Sequence, residues 1–285
     1  MSIVVTGATG QLGRHVVEQL LEKVPAGQIT AVVRNAEKAA DLADRGVKIA
    51  LADYNDPASY DGLFSAGDKV LLISGNEFDK GRVRQHKVVI DAAKAAGVAL
   101  LAYTSAPGTL TAALADDHRG TEEILLDSGV PYALLRNGWY LENYTEQLAG
   151  TLAQGALAGS AGEGKVSAAS RADYAQAAAA VLVAGDQAGK VYELGGDDAF
   201  SMAELAAEIS AASGKAISYN NLPAGDYAGL LIGAGVPEAF AGILADSDLG
   251  IARGDLLVTS GDLRRLIGRP ATALSEAVRS AVPSV

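Results

Sequence analysis

The fold of this chain is decided near its start, at Thr6-Gly7-Ala8-Thr9-Gly10-Gln11-Leu12-Gly13, which follows a short apolar run. An amphipathic segment, Gln11 to Lys23, comes next, so the order is strand, glycine turn and helix. Gly7 would permit a tight turn, Gly10 would let a pyrophosphate approach the backbone, and Gly13 would let the helix pack closely against the strand. The first amides of such a helix point toward an anion. The stretch therefore predicts a dinucleotide-binding turn.

The amino-acid composition excludes several classes of protein and several kinds of partner. The chain has 285 residues, 49% of them hydrophobic and 20% charged, which predicts a globular protein of one large domain or two modest ones. A net charge of −11 argues against nucleic acid as a partner. With no cysteine, any electron transfer must use a bound cofactor. No apolar run approaches the ~20 residues that a bilayer requires, and we find no secretory signal. We expect a cytoplasmic protein with no membrane partner.

Short apolar strands alternate with amphipathic helices through the first half of the chain. After the first strand, further strands are predicted at Gln28 to Arg34, Val47 to Ala52, Lys69 to Ile73, Val98 to Thr104 and Pro131 to Arg136. Buried strands separated by helices indicate a parallel sheet covered on both faces. We therefore predict a doubly wound Rossmann-type α/β domain. In this fold, ligands bind beyond the carboxyl ends of the strands.

The regular alternation ends after Trp139. Val191 to Leu194 is predicted to add one more strand, and Ser201 with Glu204 forms a capping box that begins a run of mainly helical segments. We predict an NADP-binding domain at residues 1–148, with 173–196 returning to it. Residues 149–285 would form a smaller, mostly helical C-terminal lobe beside the substrate cleft.

The end of the second strand indicates which dinucleotide is bound. An acidic residue there favours NAD, whereas a cation receives the additional phosphate of NADP. This strand ends at Arg34, and Lys38 follows one turn later, so we predict NADPH. Asp53-Tyr54 after the third strand is expected to reach the adenine. Ile73-Ser74-Gly75 after the fourth is expected to run alongside the cofactor.

Together with Thr104-Ser105 and Leu135-Arg136-Asn137-Gly138-Trp139-Tyr140, these features resemble the NmrA-like group of atypical short-chain dehydrogenase/reductases. Within that group the chain is similar to bacterial type 2 NAD(P)H:quinone oxidoreductases and to triphenylmethane reductases. The resemblance covers essentially the whole chain, including Arg171-Ala172-Asp173-Tyr174 and Leu266-Ile267-Gly268. It implies direct hydride transfer from NADPH to a quinone-like acceptor, without flavin.

The superfamily's usual proton relay, Tyr-x-x-x-Lys, is absent, because none of the ten tyrosines has a lysine four residues later. With Glu122 as a landmark, Leu114 aligns with the tyrosine and His118 with the lysine. Reduction of a ketone produces a strongly basic alkoxide and requires an acid. A quinone instead gives a phenolate whose conjugate acid has a pKa of about 10, and a cationic dye needs no proton. The sequence therefore favours electron-poor acceptors.

The resemblance also implies the residues of the site. Asn137 to Glu142 would line the nicotinamide end, and Arg171 would approach the cofactor or the cleft. Asn137 and Tyr140 are the candidate catalytic residues, through orientation and contact with an oxyanion; Trp139 and Tyr140 would stack on a planar acceptor. The predicted cofactor contacts are Gly7, Thr9, Gly10, Gln11, Leu12, Gly13, Arg34, Lys38, Asp53, Ile73, Ser74, Gly75, Asn137, Gly138, Trp139, Tyr140 and Arg171.

Two alternatives remain open at this stage. The protein could be an NADP-binding redox sensor without turnover, or its acceptor could be a triphenylmethane or azo dye. No metal is predicted: His118 and Glu122 form an i, i+4 pair without a third ligand, which we interpret as a pair on the helix surface. No Gly-x-Ser-x-Gly motif indicates a hydrolase. The sequence does not determine the oligomeric state.

Overall fold

The computed structural model describes residues 2–77, 81–108, 111 and 114–282. Its first ten labelled elements are β1 (Ile3–Val5), α1 (Gln11–Leu21), β2 (Ile29–Val33), α2 (Ala40–Asp44), β3 (Lys48–Leu51), β4 (Lys69–Leu72), α3 (Gly81–Ala96), β5 (Leu100–Ser105), α4 (Leu114–Ser128) and β6 (Tyr132–Asn137). Among them strands alternate with helices, except that β4 follows β3 without an α-helix between them.

The remaining elements are mostly helical. They are α5 (Glu142–Thr145), α6 (Leu148–Gln154), β7 (Ala156–Gly159), β8 (Lys165–Val166), α7 (Arg171–Val183), β9 (Lys190–Leu194), β10 (Phe200–Ser201), α8 (Met202–Ser213), β11 (Ser218–Asn221), α9 (Ala224–Gly233), α10 (Glu238–Arg253), α11 (Asp262–Ile267) and α12 (Leu274–Ala281).

Seven strands form one parallel sheet in the order β3-β2-β1-β4-β5-β6-β9. The pairs from β3 to β6 are parallel. At the edge, Gly189 N–H donates to the Tyr132 carbonyl and Gly138 N–H donates to the Leu194 carbonyl, so β9 runs in the same direction as β6. The order of connection reverses between β1 and β4, which is where a doubly wound sheet opens a crevice for a ligand.

Buried apolar side chains explain why these segments form strands and helices. All three residues of β1 and all six of β5 are buried, as expected for strands covered on both faces. Helix α1 buries Leu12, Val16, Val17 and Leu20, as expected of an amphipathic segment, and packs against α7. Val89 and Ile90 of α3 pack into the core with Val4. The predicted Rossmann architecture is confirmed.

Two small sheets accompany the helices of the later part of the chain. Strand β7 pairs in parallel with β11, and β8 pairs antiparallel with β10. The predicted capping box begins α8: Ser201 Oγ accepts from Glu204 N–H at 3.2 Å, and Glu204 Oε2 accepts from Ser201 N–H at 2.7 Å. The predominance of helix in this part is also as predicted.

The chain separates into two compact units. The first contains residues 1–106, 117–137 and 171–192; the second contains residues 107–116, 138–170 and 193–285. The predicted domain limit at residue 148 differs from this division, because 138–148 groups with the second unit. There Leu141 N–H donates to the Ala169 carbonyl, and the Tyr144 ring meets that of Phe200 edge-on. The returning segment predicted at 173–196 overlaps residues 171–192 of the first unit.

Two of the segments between the strands, which their sequences predict to be helical, are short or tightly wound. Ala36 to Asp44 is a 3₁₀ turn, Glu37–Ala39, followed by α2. Pro57 to Phe64 is only a 3₁₀ helix, Pro57–Tyr60: Asp56 caps its start, and Gly62, at φ +69°, adopts a left-handed conformation two residues after its end. Among the described residues, no helix is long and apolar enough to cross a membrane.

Candidate functional site

The glycine turn after β1 has the geometry that its sequence predicts. Gly7 lies at φ +61°, and its carbonyl accepts from Gly10 N–H at 2.9 Å. A Cβ atom at Gly13 would lie 2.3 Å from the Gly7 carbonyl oxygen, so only glycine permits α1 to approach the turn this closely. A Cβ at Gly10 would lie 3.1 Å from the same oxygen. These contacts show that backbone proximity fixes two of the three glycines.

The N-terminus of α1 faces the crevice without a capping side chain among the described residues. Gly10 is the N-cap and is exposed, as is Gln11, whereas Leu12 is buried and Thr9 is half-buried. An uncapped helix start with exposed glycine presents free amides and a partial positive charge. These residues fit the pyrophosphate of a dinucleotide.

Exposed cations lie at the carboxyl end of β2. Arg34 and Lys38 are both exposed. Arg14 of α1 donates to the Lys38 carbonyl and pairs with Asp41 at 2.8 Å, which ties the Lys38 segment to the helix whose N-terminus forms the turn. The guanidinium of Arg34 and the ammonium of Lys38 fit the additional phosphate of NADPH.

A tyrosine joins the glycine turn to the segment after β4. The Tyr54 hydroxyl lies 2.5 Å from Thr6 Oγ1 and donates to the Ile73 carbonyl at 2.8 Å. Thr6 Oγ1 also accepts from Ile73 N–H at 3.2 Å. Burial raises the pKa of Tyr54, so the hydroxyl keeps its proton and this connection. Neighbouring Asp53 accepts from Asn55 N–H at 2.9 Å and is half-buried.

The three amides of Ile73-Ser74-Gly75 are all used by the protein. Ile73 N–H binds Thr6, Ser74 N–H donates to Thr104 Oγ1 at 2.9 Å, and Gly75 N–H donates to His86 Nε2 at 2.9 Å. Hydrogen bonds to side chains of the protein therefore hold all three amides of this segment in place. Any contact that it makes with a cofactor must use carbonyl groups or side chains rather than these amides.

A buried polar network, which we call the histidine network, supports Gly75. It consists of Arg82, His86, Tyr103, His118 and Thr121, all buried. Because His86 Nε2 accepts from Gly75 N–H, its proton lies on Nδ1, which donates to Thr121 Oγ1 at 2.9 Å; Thr121 in turn donates to the Asp117 carbonyl. Arg82 donates to His118 Nε2 at 3.3 Å, so His118 Nδ1–H donates to the Tyr103 hydroxyl at 2.8 Å.

Burial and the charge of Arg82 keep both histidines of the network neutral. The pKa of His86 is lowered to about 3, and that of His118 is also lowered to about 3. Our interpretation of His118 and Glu122 as a surface pair is wrong, since they are only 9% and 7% exposed. Spacing of i, i+4 places two residues on one helix face but does not say which face is buried.

The position aligned with the catalytic lysine therefore holds a neutral imidazole, which cannot lower a tyrosine pKa by its charge. The side chain of Leu114, aligned with the tyrosine, lies outside the described residues. The hydroxyl of Ser105, the last residue of β5, donates to Glu122 Oε1 at 2.5 Å, and Arg136 pairs with Glu122 Oε2 at 2.6 Å. His118 and Ser105 are thus both bonded within the protein and provide no superfamily-type relay.

The run that begins with the last residue of β6 is buried at first and then becomes partly exposed. Asn137 is 7% exposed, Gly138 is buried, and Trp139 and Tyr140 are half-buried. Within the second unit, Ala169 N–H donates to the Trp139 carbonyl at 3.1 Å, and Tyr140 forms a bridge with Ala169. Arg171 is half-buried and is the first residue of α7.

Sequence reasoning missed the supporting residues. Arg82, Gln85, His86, Val89, Ile90 and Ala93 form the buried face of α3. Their i, i+3, i+4 spacing was visible in the sequence and could have identified His86 as a buried polar residue. Thr6 and Thr104, polar residues at the ends of apolar strands, carried a similar signal. No signal in the sequence indicated the contact of Arg14 with Lys38.

Other features of the described residues do not suggest a second chemistry. No group of three or more metal-binding side chains occurs in the part of the chain that the structure describes. A groove of about 470 Å³ in the second unit is lined by Gly162, Glu163, Ser201, Ala203, Ala206, Ala207, Ile217, Tyr219 and Asn221. None of the predicted site residues lines this groove.

Comparison with known proteins identifies the family. Residues 7–184 match the model of the NAD(P)H-binding family. The chain is 49% identical over 278 residues to quinone oxidoreductase 2 of Escherichia coli, with 97% of each chain covered. The structure of that enzyme with NADPH aligns with a TM-score of 0.94, covering 98% of this chain and 99% of that one. Citrobacter triphenylmethane reductase with NADP(H) is 40% identical and aligns with a TM-score of 0.93 over 99% and 100% of the two chains. This chain therefore belongs to the NAD(P)H-binding family.

Proposed function

We propose that this protein reduces quinones with NADPH by direct hydride transfer, without flavin. The observation that carries the proposal is the uncapped N-terminus of α1, which follows β1 at the switch point between β1 and β4, together with the exposed Arg34 directly after the neighbouring strand β2. The 49% identity to a quinone oxidoreductase supports it. Catalysis consists mainly of holding the acceptor against the nicotinamide with water excluded.

The cofactor contacts follow from the strand ends. The turn residues Gly7, Thr9, Gly10, Gln11, Leu12 and Gly13 hold the pyrophosphate, with Arg34 and Lys38 on the additional phosphate, Asp53 toward the adenine and Ile73, Ser74 and Gly75 alongside. Asn137, Gly138, Trp139, Tyr140 and Arg171 hold the nicotinamide end. NADPH supplies the hydride when bound, while Asn137 and Tyr140 orient the acceptor and stabilise its oxyanion. Cytoplasmic location stays a prediction.

The hydrogen bonds that His118 and Ser105 make within the protein support a quinone rather than a ketone as the acceptor. His118 is neutral and bonded to Tyr103 and Arg82, and Ser105 is bonded to Glu122. A ketone requires an acid in the transition state, whereas the phenolate formed from a quinone is far less basic. The absence of the relay is thus compatible with the proposed acceptor.

The direct test is oxidation of NADPH by purified, flavin-free protein with benzoquinone or naphthoquinone, and with NADH in parallel. Quinone-dependent oxidation that prefers NADPH is expected. Binding of NADPH without turnover on any quinone or dye would contradict the proposal and favour a sensor.

Arg34→Ala tests the cofactor assignment. Loss of one charge-assisted contact with the phosphate is expected to reduce the preference for NADPH over NADH about 10- to 100-fold, mainly by raising the KM for NADPH. Arg45→Ala is the matched control, because Arg45 is an exposed arginine that pairs with Glu18 at 2.5 Å. An unchanged cofactor preference in Arg34→Ala would show that the end of β2 does not select NADPH.

A dye reductase is a second candidate, favoured by the 40% identity to Citrobacter triphenylmethane reductase. A cationic triarylmethane dye accepts hydride without a proton, so the same site chemistry suffices. Comparison of kcat/KM for a quinone and for such a dye, on one preparation, decides which acceptor class the protein prefers.

A further inference from the structure

The side chain of Tyr54 crosses the carboxyl ends of the central strands of the main sheet. Tyr54 follows β3, which is separated from β1 by β2 and from β4 by β2 and β1. Its hydroxyl nevertheless lies 2.5 Å from Oγ1 of Thr6, directly after β1, and donates to the carbonyl of Ile73, directly after β4, at 2.8 Å. Strands β1 and β4 flank the switch point, where a doubly wound sheet binds its ligand. The hydroxyl therefore bridges the two strand ends at this point.

Tyr54, Thr6 and Ile73 form a closed ring of three hydrogen bonds. Because the single hydroxyl proton of Tyr54 goes to the Ile73 carbonyl, Thr6 Oγ1 donates to the Tyr54 oxygen. Ile73 N–H closes the ring by donating to Thr6 Oγ1 at 3.2 Å. Burial raises the pKa of the Tyr54 hydroxyl, against the opposing effects of Thr6 and the charge of Arg34. The hydroxyl therefore stays protonated and keeps the Ile73 carbonyl as its acceptor.

This bridge holds one edge of the peptide group that joins Ile73 to Ser74. A trans peptide group points its carbonyl and its N–H in opposite directions. The Ile73 carbonyl binds Tyr54, while Ser74 N–H, at the other edge of the same plane, donates to Thr104 Oγ1 at 2.9 Å. Thr104 is a residue of β5, on the far side of β4 from Tyr54. Two side chains from opposite sides therefore fix the orientation of this peptide group.

Tyr54 also lies beside both glycine-containing parts of the predicted site. A Cβ atom added at Gly7 would lie 3.8 Å from the Tyr54 hydroxyl oxygen, and one added at Gly75 would lie 3.7 Å from Cδ2 of the same ring. The ring of His86, which accepts from Gly75 N–H, meets the Tyr54 ring edge-on with centroids 6.3 Å apart. One side chain thus packs against the glycine turn and against the segment after β4.

We propose that Tyr54 is a positioning residue for NADPH: its hydroxyl sets the spacing between the glycine turn and the segment after β4, and it fixes the Ile73–Ser74 peptide group before the cofactor binds. This inference rests on the part of the proposed function that places NADPH in the crevice. Tyr54 acts through backbone groups and therefore needs no contact of its own with the cofactor.

Fixing these groups in advance is expected to raise the affinity for the nucleotide. Groups that are already ordered lose no conformational freedom when a ligand binds, so less of the interaction energy is spent on ordering them. The glycine turn is assigned to the pyrophosphate, which NADPH and NADH share. The effect of Tyr54 should therefore be the same for both nucleotides, in contrast to that of Arg34.

Tyr54→Phe tests the proposal by calorimetric titration with NADPH and with NADH, which requires no turnover. We expect both Kd values to rise about five- to tenfold, the equivalent of one hydrogen bond, and their ratio to stay at the wild-type value. With a quinone present, the KM for NADPH should rise by a similar factor, while kcat and the KM for the quinone stay unchanged. The Thr6 hydroxyl keeps an acceptor in this variant, because the Leu71 carbonyl lies 3.1 Å away.

Matched variants separate positioning from general packing. Tyr60→Phe is the control, because the Tyr60 ring stacks on that of Tyr54, with centroids 6.3 Å apart, and the change leaves the three hydrogen bonds intact. It should retain the wild-type Kd values. Thr104→Val releases the other edge of the same peptide group and should raise both Kd values, whereas Thr104→Ser, which keeps the hydroxyl, should restore them. If Tyr54→Phe does not fold, Thr6→Val breaks the same ring and Thr6→Ser retains it.

Two outcomes would overturn the inference. Wild-type Kd values for both nucleotides in folded Tyr54→Phe, with only a lower melting temperature, would make Tyr54 a purely structural residue. A loss of affinity confined to NADPH would assign its effect to the additional phosphate rather than to the peptide group. A wild type that binds NADPH without reducing any quinone would instead overturn the proposed function and leave the role of Tyr54 intact.

Discussion

The histidine network of the first unit differs in its hydrogen bonding from a polar group in the second unit, which we call the aspartate cluster and which consists of Tyr144 on α5, Ser160 after β7, Tyr219 on β11, Tyr227 on α9 and Asp248 on α10. The imidazole nitrogens of His86 and His118 all have partners, and the network ends on the backbone at Gly75 and Asp117. The aspartate cluster retains two hydroxyls without partners among the described residues, and a carboxyl group whose pKa is raised to about 6.

The difference concerns stability. Hydrogen bonds to both nitrogens of each histidine hold one geometry, which suits the fixed segment Ile73-Ser74-Gly75. Buried hydroxyls without hydrogen-bond partners instead lower the free energy of unfolding. Stability measurements can therefore distinguish the two, independently of any assay of activity.

The largest expected effect is acid destabilisation through the network. His86 and His118 have pKa values of about 3 when folded, against about 6.5 unfolded, so the unfolded state binds more protons below pH 6.5 and stability is lost as pH falls. Between pH 7.5 and 5 the two histidines together should account for about 3–4 kcal/mol of this loss. Urea unfolding of the double variant His86→Gln/His118→Gln should show a correspondingly weaker pH dependence than the wild type.

His15→Gln is the control, because His15 is exposed on α1. It should retain the wild-type dependence. If the double variant and the wild type lose stability equally over this range, the two histidines are not held neutral in the folded protein.

Removing the buried carboxylate beside the network is expected to have the next largest effect. Glu122→Ala leaves Arg136 without its 2.6 Å partner and Ser105 without its acceptor, which should lower the free energy of unfolding by about 3 kcal/mol. Glu123→Ala, one residue later and exposed, should change it by no more than about 0.5 kcal/mol. Equal free energies of unfolding for the two variants in urea titrations would show that the bonds of Glu122 to Ser105 and Arg136 do not stabilise the fold.

Asp248→Asn should change stability in the opposite direction. The pKa of Asp248 is raised from 3.8 to about 6, so ionisation destabilises the folded state, and stability falls as pH rises through this range. Asparagine keeps an acceptor for Ser160 N–H without the charge. We expect the variant to be about 2 kcal/mol more stable at pH 7.5 and no more stable at pH 3.5, by urea unfolding. A variant that is less stable than the wild type at pH 7.5 would show that burial does not make the Asp248 charge unfavourable.

The smallest effect compares two tyrosines of the same cluster. Tyr219→Phe removes the partner of Ala161 N–H and Asn221 and should cost about 1–2 kcal/mol. Tyr144→Phe removes an unsatisfied hydroxyl and should cost no more than about 0.5 kcal/mol. Thermal unfolding of the two variants side by side measures the difference. A larger loss for Tyr144→Phe would indicate that its hydroxyl is already bonded in the free protein.

Local sequence signals predicted much of the fold and part of the site. Gly7 and Gly13 act within one turn, and a strand such as Val191 to Leu194 was recognisable as a short apolar run. Each of these signals depends on residues that lie only a few positions apart in the sequence. Three glycines, one strand and the start of one helix were therefore enough to predict the turn.

The buried polar residues that support the predicted site are brought together by long-range packing. Local sequence signals therefore could not predict them. Whether His118 and Glu122 face the core was decided by Tyr103, Ser105 and Arg136 on neighbouring strands. The aspartate cluster combines residues from five separate segments of the second unit, which no local period connects. Such polar groups become recognisable only when the fold has placed their partners.

The central claim, direct hydride transfer from NADPH to a quinone, is tested most directly by a single-turnover measurement. Flavin-free protein loaded with NADPH deuterated at the transferred C4 position is mixed with naphthoquinone, and nicotinamide oxidation is followed by absorbance. We predict rapid oxidation that the deuterium slows several-fold. Oxidation that requires added flavin, or no oxidation by the quinone, would contradict the account.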